Sequence, residues 1–345
     1  MENAAVIASA QMTRKQQIKQ VVRARIANAA LRANHRRLSS DKRATLFTAL
    51  KRHYFSDPFY YAEAPDVYLA TPEGARDMDE HLSNRLEEFR SLVIPWLDYL
   101  FPLREATIIE VGCGTGASSI SLAEQGADVL GIDISETALE VAHIRTQLHD
   151  LKISFARANA TDLEQVASGR SIDAVIFFAV MEHMTWEERC HSLAQTWRLL
   201  RSGQHLVIVE TPNRLWHTDT HTSLEPFFHW LPDDVAMKYS RYTRRKGYNE
   251  AFNGAAAELT GEAKIRFARW GRGISYHDLM LALDVSHPKD IPIVSAMQIY
   301  LNRRSPEHFI RNCRSRSYRH FLQRLVPEVN PGFLYEDMYV ALRKP

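Results

Sequence analysis

Two stretches of the chain hold residues whose types and spacing suit chemistry. In the first, Glu110 is followed by Gly112, Gly114 and Gly116, glycines at every second position, with Cys113 between two of them. Such a run turns the backbone sharply and leaves no side chain between it and a ligand. The next residues, Ala117 to Glu124, read as a helix, so the loop ends on free N–H groups that face a crevice and suit a nucleotide-type ligand. The second stretch runs from Asn213 through Ser223. If it is extended, His217, Asp219 and His221 project on one side. Two imidazoles and a carboxylate so placed suit acid/base work or a divalent cation. A third ligand set is not evident, and no metal is expected.

The glycine loop alone leaves the ligand open, because Gly112, Gly114 and Ala117 also satisfy the relaxed dinucleotide fingerprint. Three neighbours argue against a dinucleotide. Glu110, at a strand end just before the glycines, repels a pyrophosphate and favours a ligand carrying an ammonium or sulfonium group. Asp133 ends the apolar run 128–132, about 20 residues on, where an acid can take both hydroxyls of a ribose. The third is the strand and turn from Ile172 to Met184, which carries Phe178, Glu182 and His183.

Taken together these motifs resemble those of class I S-adenosylmethionine-dependent methyltransferases of the small-molecule type. The family's first motif is matched by Glu110, Gly112, Gly114 and Gly116, its ribose acid by Asp133, and its fourth motif by Asp173 through His183 with Met181 in place of leucine. Its post-core segment is matched by Leu199 to Asn213, with Gln204 where a second glycine is usual. The resemblance covers residues 80–213. It implies a Rossmann-like seven-stranded sheet and S-adenosylmethionine as cofactor, bound by Glu110, Gly112, Cys113, Gly114, Gly116, Asp133, Ile134, Asn159, Ala160 and Phe178. Asn159 stands where the family often has an acid facing the adenine amino group, and its amide oxygen can accept the same bond. Asp162 is then expected to cap the next helix.

Methyl transfer needs the nucleophile placed in line with a departing thioether, and oxygen nucleophiles commonly need a base. His183, His217 and His221 are the candidates for it. Tyr60, Tyr61, Asn213, Arg214, Trp216 and His229 are candidates for contact with the acceptor, a small molecule with oxygen the default atom and sulfur or nitrogen close behind. The competing readings are an NAD(P)-dependent oxidoreductase, a nucleic-acid methyltransferase and a catalytically silent cofactor-binding partner.

These residues need elements to position them. Strands are expected at 107–111, 128–132, 152–156, 172–178 and 204–211, alternating with helices near 117–125, 136–149, 162–167 and 186–200, a rhythm that gives a parallel α/β sheet covered on both faces. Four parts follow: a basic helical N-terminal extension and cap (1–79), the core (80–213), an inserted lid after strand five (214–275), and a C-terminal completion (276–345). In the last part a strand is expected within 291–301, a helix over 305–325 and a final strand at 335–342. Residues 54–79, aromatic and proline-containing, read as an ordered loop that packs on the core, with Phe59, Tyr60 or Tyr61 near substrate. A helix is expected over 81–99.

With 345 residues, 45% hydrophobic and 24% charged, the chain has the composition of an ordinary globule. Its formal charge of +2 hides a dozen Lys and Arg within residues 13–52 against the single acid Asp41. Apolar positions interleave there, from Ile18, Val21, Val22 and Ile26 to Leu31, as in a basic amphipathic helix whose charged face is expected to be solvated. An anionic-partner or membrane-surface contact and an organelle transit segment are the competing readings. The acids breaking up the other basic clusters argue against nucleic acid as a partner. No run of ~20 apolar residues suggests a membrane span. The odd, scattered cysteines Cys113, Cys190 and Cys313 form neither a disulfide framework nor a zinc pattern and fit a reducing cytoplasm. A homo-oligomer is compatible with this sequence.

Overall fold

A computed structural model describes residues 29–345, apart from 59, 60, 62, 246, 254–259 and 314. The first part of the basic N-terminal segment, up to residue 28 and with it Ile18, Val21, Val22 and Ile26, lies outside the described residues, as do Phe59 and Tyr60.

The alternation of apolar runs and amphipathic segments builds one seven-stranded sheet. Its strands are β1 (Thr107–Val111), β2 (Asp128–Asp133), β3 (Ser154–Arg157), β4 (Ala174–Phe178), β5 (His205–Pro212), β6 (Ile293–Ala296) and β7 (Asp337–Arg343). The order is β3-β2-β1-β4-β5-β7-β6, with β1 to β5 parallel and β7 antiparallel to both its neighbours. This is the Rossmann-like seven-stranded sheet that the resemblance implies. β4 is buried along its whole length and β1 everywhere but its first residue, as strands with helices on both faces must be. The chain order reverses between β1 and β4, and a crevice at that point is where open α/β sheets take ligands.

Helices cover the sheet: α1 (Ser40–Ala49) and α2 (Pro72–Asp79) before it, then α3 (Ala117–Ala123), α4 (Glu136–Leu148), α5 (Trp186–Leu199), α6 (Gly261–Trp270) and α7 (Tyr276–Leu283). Residues 54–79 are more helical than the expected loop. Pro65 and Pro72 each occupy the first turn of a helix, where a missing N–H costs nothing, and the Thr71 hydroxyl accepts from Gly74 N–H. From Pro72 to Leu100 the chain is helical throughout, alternating α and π turns. Within 291–301 only Ile293–Ala296 is strand. Met297–Asn302 turns into a helix that buries Met297 and Tyr300. The helix expected over 305–325 divides into Pro306–Cys313 and Arg316–Leu325.

The described part of the basic segment has structural partners. Arg36 donates to the carbonyls of His149 and Asp150, and Lys42 to Leu148 O at 2.7 Å, so two cations meet the negative C-terminal end of α4. Leu46, Leu50, Phe55, Met78 and Leu82 form a small core with Val141 of α4. The N-terminal region is thereby held against the helix that follows Asp133.

After β5 the chain leaves the sheet at Asn213 and returns at Ile274. The two are paired: Arg214 N–H donates to Ile274 O, and Ile274 N–H to Pro212 O. The residues between have their own core of Phe228, Met237, Tyr248, Phe252 and Phe267. Beside it lies the buried Arg272 guanidinium, stacked on Phe228 and Phe267 and bonded to Leu231 O and Asp233. Among the described residues no helix is long and apolar enough to cross a membrane.

Candidate active site

Gly112, Gly114 and Gly116 all have positive φ, +76°, +49° and +78°, a region where other residues are strained. The surroundings of the three differ. A Cβ on Gly112 would lie 2.5 Å from Val180 Cβ, and one on Gly116 would lie 3.0 Å from Ala142 Cβ, whereas one on Gly114 would meet no protein atom within 4 Å. The loop is packed at its two ends and open at its middle glycine. Behind it, Cys113 is buried against Gly131, and burial pushes its thiol well above the ordinary value, which suits a filler and not a nucleophile.

Glu110 does not face the crevice. It has no exposed surface, and its carboxylate accepts from the hydroxyls of Ser118 and Ser119 on α3, so it fastens the loop to the helix. Burial pushes it up to about 7. The sequence reading placed this acid beside the ligand; the two serines one turn into the helix draw it inward instead. Asp133 accepts from Gly114 N–H and from Ser135 N–H, both at 2.9 Å, and so sets the open glycine's backbone while staying part-exposed. Ile134 beside it is 44% exposed, and Ala160 and Phe178 are buried, Phe178 against Phe89. The Asn159 amide oxygen is taken up by Thr161 N–H at 3.1 Å, closing the turn Ala160–Asp162. It is Asn159 that caps here and not Asp162, whose side chain caps nothing.

Three residues that the sequence did not single out hold the loop from its far side. Arg145 of α4, fully buried, donates to Thr115 O at 2.8 Å and to His81 O at 2.6 Å, and His81 Nδ1 lies 3.4 Å from the Thr115 hydroxyl. A charged residue amid the apolar positions of α4 was the signal available. Tyr54 and Phe55 pack on His81, and Tyr61 and Tyr68 pack on Phe55 in turn, with Tyr68 donating to Asp77 at 2.6 Å. Tyr61 is part of this aromatic cluster. Asp57 accepts from Thr137, which brings the same segment over the turn that follows Asp133.

The turn after β4 passes directly against the loop, since Val180 fills the space at Gly112. It carries Glu182 and His183 to the end of the strand, and there His221 arrives from the insertion. His183 Nε2 and His221 Nε2 lie 3.8 and 3.9 Å from Glu182 Oε1, and the two rings are 5.3 Å apart. Glu182 is buried with both carboxylate oxygens unpaired, and burial, with Glu210 and Asp337 nearby, pushes it up to about 8. Burial lowers both histidines, so they stand as neutral imidazoles. Ala179 and Glu210, at the ends of β4 and β5, also have positive φ (+42° and +57°). Such strain in non-glycine residues gathers at functional sites. Arg85 donates to Glu210 at 3.1 Å.

The remaining candidates are not gathered there. His217 turns away from His221 and packs between Trp216 and Tyr318. The extended stretch does not exist, because Asp219 accepts from the N–H groups of His221, Thr222 and Ser223 and coils the chain around itself. Burial opposes ionisation of Asp219, yet the His229 ring 3.2 Å away and these N–H groups prevail and hold its pKa well below the carboxylate range. His229 is 2% exposed and bonded in this way, and Asn213 is 1% exposed, donating to Phe333 O and Tyr335 O while accepting from Leu215 N–H. Trp216 is buried and Arg214 lies 3.6 Å from Asp233. These four hold the insertion together and join it to the C-terminal segment.

Residues 108–203 match a family model described as a methyltransferase domain. These residues form a methyltransferase domain. The methyltransferase domain is similar to that of a ubiquinone biosynthesis O-methyltransferase of Cupriavidus pinatubonensis, 33% identical over 129 residues, which are 37% of this chain and 50% of that one. It is also similar to proteins of the same description from Acinetobacter baylyi, 32% identical over 41% of this chain and 58% of the relative, and from Bartonella quintana, 30% identical over 39% and 53%. The chain thus spans about half the length of the curated relatives it matches. His221 and the whole of the insertion lie beyond the residues matched by the family model.

Proposed function

We propose that the protein transfers a methyl group from S-adenosylmethionine to an oxygen of a small-molecule acceptor. The observation that carries this reading is the pairing of an open middle glycine, Gly114, with a polar group formed by Glu182, His183 and His221 on the adjoining turn. Bound S-adenosylmethionine supplies an activated methyl group on sulfur, so the chain has mainly to position and to manage a proton. Asp133 fixes the Gly114 backbone and keeps lone pairs free for ribose hydroxyls. Ile134, Asn159, Ala160 and Phe178 would flank the rest of the nucleoside, Asn159 through its remaining amide capacity. Glu110, through Ser118 and Ser119, keeps the loop seated on α3.

At the acceptor end, the neutral His183 and His221 present ring nitrogens to a hydroxyl and lower the cost of its losing a proton. The aromatic segment around Tyr61 and the insertion behind His221 supply walls that exclude water, and Arg214 offers a cation at their edge. The relatives' printed description as O-methyltransferases of ubiquinone biosynthesis supports oxygen as the acceptor atom and a small molecule as the acceptor. Three free cysteines support a reducing, cytoplasmic setting.

The test is calorimetric titration of the full chain with S-adenosylmethionine, S-adenosylhomocysteine and NAD in parallel. Saturable binding of the first two and none of the third is expected. Binding of NAD alone would overturn the reading in favour of hydride chemistry.

A further inference from the structure

Glu182, His183 and His221 have an arrangement that acid/base work does not require. His183 Nδ1 lies 2.8 Å from Arg269 O, an acceptor with no proton to give, so Nδ1 carries the hydrogen and Nε2 the lone pair. His221 Nδ1 lies 3.1 Å from the Thr222 hydroxyl, which itself donates to Gly271 O at 3.0 Å. That hydroxyl has only a lone pair left for the imidazole, so His221 also carries its hydrogen on Nδ1. Both Nε2 lone pairs then lie near Glu182 Oε1, at 3.8 and 3.9 Å, too long for hydrogen bonds, and both Glu182 oxygens are buried without a donor. With Glu182 ionised, three acceptors converge, and no other protein donor among the described residues satisfies them. A buried acceptor cluster of this kind calls for a cation.

We propose that Glu182, His183 and His221 form a binding site for a divalent transition metal, with Zn²⁺ the best match. Two imidazole nitrogens and one carboxylate are the donor set of open zinc and ferrous sites, whereas Mg²⁺ and Ca²⁺ prefer oxygen alone. The three ligand atoms lie within 4.8 Å of one another. A tetrahedral site with bonds of ~2.0–2.1 Å needs them ~3.3 Å apart, a closure that small side-chain rotations supply. The second coordination layer is already built: the Arg269 carbonyl and the Thr222 hydroxyl fix the tautomer and plane of each ring, as partners of metal-bound histidines do. Arg269 is in turn held by Glu188, at 2.6 Å.

The ring faces are part-exposed, His183 by 39% and His221 by 35% of the side chain, which leaves coordination positions open on the crevice side. This deepens the function proposed above and rests on it in one respect: the ligand for the open position is the acceptor's hydroxyl oxygen. The metal would then acidify that hydroxyl, in place of a direct imidazole base. It would also cross-link the insertion to the turn after β4, because Glu182 and His183 lie on one side of a gap of nearly forty residues in the chain and His221 on the other.

The experiment uses the full chain, stripped with a chelator and titrated with Zn²⁺, with Co²⁺ as a spectroscopic probe. One Zn²⁺ per chain is expected, with Co²⁺ giving visible bands of a four- or five-coordinate nitrogen site. Glu182→Gln and His221→Ala should each weaken Zn²⁺ binding on the order of a hundredfold or more, as expected for loss of one ligand in three. His217→Ala, in the same segment but facing Tyr318, should leave it unchanged. Circular dichroism of each variant separates ligand loss from misfolding, and Glu182→Gln keeps the side-chain shape. No saturable Zn²⁺ binding, or binding indifferent to both Glu182→Gln and His221→Ala in folded variants, would overturn the proposal. Titration with S-adenosylmethionine on the same samples tells the two readings apart. Cofactor binding without metal removes this site only, and metal binding without cofactor removes the methyltransferase reading.

Discussion

Alanine at each of two neighbouring glycines should separate loop stability from ligand binding. Both Gly112 and Gly114 have positive φ, so an added Cβ costs about 1–2 kcal/mol at either from backbone strain alone. At Gly112 the new atom would also lie 2.5 Å from Val180 Cβ, an overpacking that adds about 1–3 kcal/mol. Gly112→Ala should therefore destabilise by roughly 2–5 kcal/mol, and Gly114→Ala by only the first of these amounts. Binding should reverse the order of interest. Gly114→Ala stays folded, but its methyl group occupies the one open face of the loop, so S-adenosylmethionine should bind at least about tenfold more weakly, or ~1.4 kcal/mol. Denaturant unfolding gives the first quantity and calorimetry the second. A folded Gly114→Ala protein with unchanged affinity would refute the reasoning, because the ligand would then not approach the loop at its open glycine.

Asp133→Ala removes the acceptor of two backbone N–H groups and should weaken S-adenosylmethionine binding by about 1–3 kcal/mol in the same titration. Arg90→Met leaves the buried Glu124 carboxylate without its charged partner, with the Arg36 N–H still donating to it, and should lower stability by roughly 3–5 kcal/mol in urea, much of which Arg90→Met with Glu124→Leu should restore. His149 is buried with both ring nitrogens unpaired, and burial, then Arg145 and Arg90, lower it to about 4. The unfolded chain takes up a proton below the ordinary histidine value that the folded chain refuses. Stability is therefore complete above pH ~6.5 and falls toward pH 4 by up to ~1.4 kcal/mol per pH unit from this group. His149→Leu should flatten the fall by that slope, and an unchanged pH dependence would place the ring in a different state.

The sheet was legible because its signals are local. Five apolar runs, each ending at a turn, give the parallel strands, and the glycine spacing after Glu110 fixes where the crevice opens. The site was legible only where its residues depend on near neighbours. His183 and His221 stand out as types, but their meeting with Glu182 depends on a fold that brings an insertion back to β4. Asn213 and His229 read as candidates for acceptor contact because their partners, Phe333 and Tyr335 in one case and Asp219 in a coiled turn in the other, are distant or unpatterned. His217 was grouped with His221 on the assumption of an extended chain. Asp219 cancels that assumption by gathering three successive N–H groups onto itself. Arg145 carries no motif at all, and only the buried carbonyls of Thr115 and His81 explain a guanidinium inside α4.

The insertion departs at Asn213 and returns at Ile274 side by side, with Gly273 so close to Pro212 O and Arg214 N that a Cβ there would lie within 3.0 Å of both. Its ends are a single point on the sheet, and its apolar core is its own. A segment attached in this way behaves as an exchangeable module: it can be lengthened, shortened or replaced without shifting the register of any strand. On the proposed function, the chemistry at the glycine loop would then stay fixed while acceptor preference drifts, with Glu182 and His183 acting as a socket into which successive versions of the module plug a single side chain.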